Sequence, residues 1–160
     1  TDLVMLDIKH IDDEKHKEAM ELYAKSNQFK FSQQNGNFND QAKSIYFELY
    51  RKNGESLGIC STLTFYKYND KVEVLNWAIS CRYFEIGLEE FILTYLQNVL
   101  SAGKVSFHYQ KTEYNNKVGE LLNKYSNLFN KEVAKIEFDY SQVSVNKLIS
   151  NTNLKQIKNG

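Results

Sequence analysis

Cys81 and Arg82 stand side by side in "SCRYFEIGLEE", Ser80 to Glu90, where a β-rich run gives way to a helical pattern. A thiol beside a guanidinium and shortly ahead of a helix amino end is in the setting that favours the thiolate, which makes Cys81 a candidate nucleophile or acyl carrier. The alternative is packing, since cysteine is among the residue types most often buried. The same stretch almost spells an anion-binding loop, Arg-x-x-Gly-x-Gly, in which backbone N–H groups and the positive end of the next helix hold a phosphate-type anion. Ser80, Arg82, Ile86 and Gly87 fit that loop by position, whereas Glu85 occupies the place of its first glycine. The Cβ of Glu85 removes the freedom glycine gives the turn. Its carboxylate would repel the anion by about 1 kcal/mol at ~4 Å in water, and by several times that in a drier setting. Plain helix capping is the third reading of this stretch.

Other residues extend the list. His108, in "VSFHY", is a possible general base, with a hydrogen-bonded structural histidine as the alternative, while His10 and His16 belong to the first strand and helix. Asn27, Gln28 and Phe29 fall in a polar loop, where such side chains either bind a small acyl or amine group or satisfy loop backbone. Asn115 opens a helical run, which suits an N-cap. Cys60, inside "LGICSTLTF", reads as a strand residue, and no metal-ligand spacing surrounds either cysteine.

The elements that must position these groups follow from periodicity. "LVMLDI" is a short strand, and Asp12 or Asp13 caps a helix running to about Lys25. Ser26 to Asp40 is a polar, glycine-bearing loop held down chiefly at Phe29 and Phe31, placed to cover a pocket. Three β-rich runs, Ser44 to Arg51, Leu57 to Tyr68 and Lys71 to Ser80, are separated by the turn-forming "KNGE" and "YNDK" and make an antiparallel meander. Apolar residues at Ile86, Phe91, Ile92, Tyr95, Leu96, Val99 and Leu100 form a helical stripe that ends near Gly103. Lys104 to Tyr109 is a strand, Asn115 to Tyr125 a helix with Val118, Leu121 and Leu122 on one side, and Glu132 to Tyr140 a last strand.

Composition bounds the rest. The 160 residues fit one domain, 1–145, followed by a polar tail, 146–160, with too little apolar content to demand a core position. Twenty Lys+Arg against twenty Asp+Glu give zero formal charge, which removes the field a general nucleic-acid binder needs. No apolar run approaches the ~20 residues of a membrane span, so neither nucleic acid nor membrane is an expected partner. Reduced thiols in a cytoplasmic protein are the default.

This order of elements is that of the GNAT-type N-acetyltransferase fold, an α/β arrangement around a central mixed, mostly antiparallel sheet. Within it, "KSNQFKF", "AISCRYFEIGLEEFIL" and "YQKTEYNNKVGELLNKYSNLF" resemble three segments of the acetyltransferase-like carboxy-terminal domain of FkbH-like proteins, over roughly Leu3 to Tyr140. The resemblance implies an acyl-transfer context: FkbH-like proteins are associated with moving a glyceryl unit onto an acyl carrier protein. Coenzyme A or another phosphopantetheine thioester is then the implied cofactor, in a cleft between Leu75 to Arg82 and Lys104 to Tyr109. An acyl carrier protein or a haloacid-dehalogenase-like domain is the implied partner. The latter's Asp-x-Asp motif does not occur in these residues, so the chain reads as an excised domain or a free-standing relative. The resemblance also places Asn115 against the cofactor arm and Asn27, Gln28 and Phe29 on the acceptor side. The usual leaving-group acid, a tyrosine, should fall near Leu122, which cannot donate a proton, leaving Tyr125 three residues on. A catalytically inactive module for carrier-protein or partner-domain recognition is the alternative.

Overall fold

The computed structural model describes residues 5–10, 13–35, 38–69, 71–98, 104–124, 130–131, 135–138 and 155–159. In these, β1 (Met5–His10) leads to α1 (Asp13–Lys25), then to the meander β2 (Lys43–Tyr50), β3 (Ser56–Tyr68) and β4 (Lys71–Ile79). A short 3₁₀ turn, Cys81–Tyr83, precedes α2 (Leu88–Asn98). β5 (Lys104–His108), α3 (Asn116–Lys124), β6 (Asn130–Lys131), β7 (Lys135–Phe138) and β8 (Lys155–Asn159) complete the order. Among the described residues the sheet has eight strands in the order β6-β7-β5-β4-β3-β2-β1-β8. Neighbours are antiparallel except β4 with β5 and β1 with β8. The meander and its flanking helices stand where periodicity places them. β6 is too short for periodicity to show. The polar run after residue 146 gives no strand signal either, yet β8 lies along β1 through backbone pairing, which an edge strand obtains without apolar side chains.

Alternation along β3 assigns the two faces. Thr62 and Thr64 face α1: Thr62 Oγ1 donates to the Ala19 carbonyl oxygen at 3.2 Å, and the Tyr23 hydroxyl shares a hydrogen bond with Thr64 Oγ1 at 2.9 Å. Leu63 and Phe65 point the other way, into a core shared with α2 and α3 through Leu88, Ile92, Leu96, Val118 and Leu121. Phe47 meets Tyr95 of α2 edge-to-face, with ring centroids 5.7 Å apart.

One irregularity decides what the fold can do. β4 and β5 pair only from Lys71↔Lys104 to Val74↔Phe107. At that level the β3–β4 register slips, Thr64 opposing Asn76 and Phe65 opposing Val74, so that Leu75 is an extra residue in β4. Such a bulge bends and twists its strand. Beyond it β4 runs on to Ile79 without β5 beside it.

Candidate active site

Five of the residues singled out by sequence meet in one cavity of about 420 Å³, where Asn27, Gln28, Ser80, Cys81 and Arg82 all line the wall. The end of β4 and the 3₁₀ turn supply Ser80, Cys81 and Arg82, and the chain leaving α1 supplies Asn27 and Gln28. The turn is fixed from both ends. Ser80 N donates to the Cys60 carbonyl oxygen at 2.8 Å, Tyr83 N donates to the Ser80 carbonyl oxygen at 3.0 Å, and the Tyr83 hydroxyl donates to the Leu57 carbonyl oxygen at 3.0 Å. Cys81 is exposed, so the packing reading of this thiol does not hold. Cys60 is the buried cysteine: its Sγ donates to the Phe47 carbonyl oxygen at 3.2 Å, and burial pushes its thiol pKa up.

The opposite wall was missed in the sequence. Glu18, Glu21, Leu22 and Lys25 recur at i, i+3, i+4 and i+7, one face of α1, and that spacing was the available signal. Leu57, Gly58 and Ile59 close the cavity from β3. Gly58 has φ +90, beside a slip in the β2–β3 register, and a Cβ there would meet nothing within 4 Å. Its glycine is required by backbone conformation, not by crowding.

The remaining sequence candidates are placed elsewhere. Phe29, expected to touch substrate, is 1% exposed and packs edge-to-face on Trp77 at 5.0 Å, because an aromatic ring in this loop gains more from the core than from solvent. Asn115, expected against a cofactor arm, is buried, with both amide hydrogens donated and its oxygen bonded. Its Oδ1 accepts from Thr112 N at 2.8 Å, and its Nδ2 donates to the carbonyl oxygens of Gln110 at 2.8 Å and Lys30 at 3.1 Å. His108 faces Glu73 of β4, Nε2 to Oε1 at 3.3 Å, and does not line the cavity with Cys81. Ile86 is half-buried and packs on the core. Tyr125 and Gly103 lie outside the described residues.

Glu85 is exposed and has φ +66, and Gly87 has φ +86. The backbone at Glu85 is therefore in the left-handed region that the missing glycine would favour, held there by the chain on either side at a cost in strain. Glu85 and Gly87 line a second cavity of about 370 Å³ between the start of α2 and α3, with Glu89, Glu90, Glu120, Lys117 and Lys124. Lys124 Nζ lies 2.6 Å from Glu90 Oε1, and Lys117 Nζ 3.5 Å from Glu120 Oε2. Four carboxylates against two lysines leave this cavity acidic, and burial raises the pKa of Glu89, with neighbouring Glu90 adding to the effect.

No family model matches the chain, and no curated protein matches it in sequence. Solved structures do match in shape. The ribosomal-protein-S18-alanine N-acetyltransferase from Escherichia coli superposes with TM-score 0.59 at 14% identity, over 88% of this chain and 97% of that one. The PaiA N-acetyltransferase from Thermoplasma acidophilum, in complex with coenzyme A, gives 0.57 at 11% over 84% and 99%. The spermidine/spermine N-acetyltransferase SpeG from Vibrio cholerae, in complex with manganese ions, gives 0.52 at 12% over 86% and 94%. The chain has the GNAT acetyltransferase fold. Among the described residues no helix is long and apolar enough to cross a membrane.

Coenzyme A is the group this fold implies, and the residues present do not fit it. The β4 edge beyond Val74, where a thioester arm was expected to lie against exposed backbone groups, is already hydrogen-bonded: Phe31 N donates to the Trp77 carbonyl oxygen and Ile79 N to the Phe29 carbonyl oxygen, both at 3.1 Å. The expected cleft between Leu75 to Arg82 and Lys104 to Tyr109 is therefore not an open groove. The cavity beside the Glu85 loop carries the wrong charge for phosphates.

Proposed function

We propose that this chain is an acyl-transfer module of the GNAT fold, in which Cys81 accepts an acyl group from a phosphopantetheine thioester, in a cytoplasmic setting that keeps the thiol reduced. The observation that carries this reading is the exposed Cys81 in the same cavity as Arg82, Ser80, Asn27 and Gln28. The Cys81 thiolate attacks the thioester carbonyl carbon, and a new C–S bond forms. The donor C–S bond then breaks, and the pantetheine sulfur leaves as a thiol, taking up the proton that Cys81 gave up. Arg82, next in the chain, places a positive charge on the wall that carries the thiol. Asn27 and Gln28 offer both donors and acceptors to a small polar acyl group such as a glyceryl unit. The likeness of three segments to FkbH-like carboxy-terminal domains supports a donor borne on an acyl carrier protein.

A second reading, a non-catalytic module that recognises a carrier protein or a haloacid-dehalogenase-like domain, is favoured by Leu122, which is buried where an acetyltransferase acid is expected. Incubation with acyl-S-pantetheine and with acyl-loaded carrier protein, followed by intact-mass and peptide mass spectrometry, separates the two. One acyl group on the Cys81 peptide, absent in Cys81→Ser, is the expected result. Folded protein that gains no mass from either donor leaves the second reading.

A further inference from the structure

We infer that the segment Phe29–Ser32 is a built-in occupant of the gap between β4 and β5, so that this chain does not take coenzyme A between those strands. The segment runs antiparallel to β4, with Lys30 opposite Ala78. On the β4 side it is held by Phe31 N to the Trp77 carbonyl oxygen and Ile79 N to the Phe29 carbonyl oxygen, both 3.1 Å, and by Ser32 Oγ to the Leu75 carbonyl oxygen at 2.9 Å. Asn76 adds its side chain, Oδ1 accepting from Ser32 N at 2.9 Å and Nδ2 donating to the Gln34 carbonyl oxygen at 2.6 Å. On the β5 side Gln110 N donates to the Phe31 carbonyl oxygen at 2.8 Å, and Asn115 Nδ2 reaches the Lys30 carbonyl oxygen. The segment thus ties β4 to the chain that follows β5, across the space that the Leu75 bulge opens.

Its side chains fill that space as well. Phe31 is fully buried, stacked on Trp77 with centroids 5.4 Å apart and 14° between planes, 5.0 Å from Phe107 and 6.2 Å from Tyr109. A ligand that displaced the segment would forfeit roughly a thousandfold in affinity for four of these hydrogen bonds alone, before the exposure of two phenylalanine rings is counted. The acidic cavity beside Glu85 and Glu89 is an independent obstacle on the phosphate side. A thioester that reaches Cys81 comes from the α1 side of the sheet, and that route rests on the proposed acyl transfer. The occupancy of the gap does not.

Amide-resolved NMR of the unaltered chain tests this. Acetyl-coenzyme A and S-acetylpantetheine are each titrated to millimolar concentration while the Phe31, Ile79 and Gln110 amides are followed, together with their hydrogen-exchange rates. The expected result is no saturable shift and unchanged slow exchange at these three amides with either compound, and the same result for coenzyme A with Glu85→Gly. Saturable shifts or accelerated exchange there would overturn the inference, whether or not Cys81 is acylated in the same samples.

Discussion

Asn115 joins three stretches of chain, and removing its side chain measures what that junction contributes. In Asn115→Ala three hydrogen bonds are lost together: from Thr112 N at 2.8 Å, and to the carbonyl oxygens of Gln110 at 2.8 Å and Lys30 at 3.1 Å. Each such bond contributes about 1 kcal/mol net, and a buried partner left unsatisfied costs about 1–3 kcal/mol. Gln110 is exposed and its carbonyl oxygen can be rehydrated, whereas the Lys30 carbonyl oxygen sits under a residue 4% exposed. The sum is a loss of about 3 kcal/mol. Asn115→Asp preserves the shape but aims an acceptor at two carbonyl oxygens, so it should cost at least as much at neutral pH and recover in part once the carboxyl is protonated. Urea unfolding followed by Trp77 fluorescence gives both numbers, provided the slope of stability against denaturant is unchanged between variants. A loss below ~1 kcal/mol in Asn115→Ala would refute the structural role and return the amide to a ligand.

Glu89→Gln should stabilise the fold at pH 7. Burial raises the Glu89 pKa, so the folded state binds the proton more tightly than the unfolded state, and stability is lost as pH rises from the ordinary carboxylate range through the raised value. The variant's gain in Tm should therefore shrink as pH falls toward 4, and a gain that does not change with pH would contradict the assignment. Glu85→Gly relieves a left-handed residue at φ +66, about 1–2 kcal/mol, against ~0.5–1 kcal/mol of added chain entropy. A net gain of up to about 1.5 kcal/mol in thermal unfolding is expected, and a clear loss would mean that the residue is not left-handed. Brief iodoacetamide exposure of the folded protein should label Cys81 and spare Cys60, because the Cys60 thiol is fully buried and bonded to the Phe47 carbonyl oxygen. Equal labelling would place Cys60 at the surface.

The periodicities of the chain carry the architecture. Alternation in Ser44–Ser80 and the 3.6-residue stripe from Ile86 depend on which side chains are apolar, a local property, and β2, β3, β4 and α2 stand where those patterns put them. The loop anchors Phe29 and Phe31 were legible for the same reason, since aromatic rings in a polar stretch are costly to leave in water. Local pattern could not say what the anchors do once buried. That depends on the Leu75 bulge, which parts β4 from β5, and on a segment more than forty residues earlier that pairs with the freed edge. Chemistry divided in the same way. The Cys81–Arg82 pair and the glutamate in a glycine's place are read directly from the sequence. That Cys81 shares a cavity with Asn27 and Gln28 while Asn115, Phe29 and His108 do not is decided by long-range pairing, because side-chain surroundings are set by which strands and helices meet, and residue type alone carries no information about that meeting.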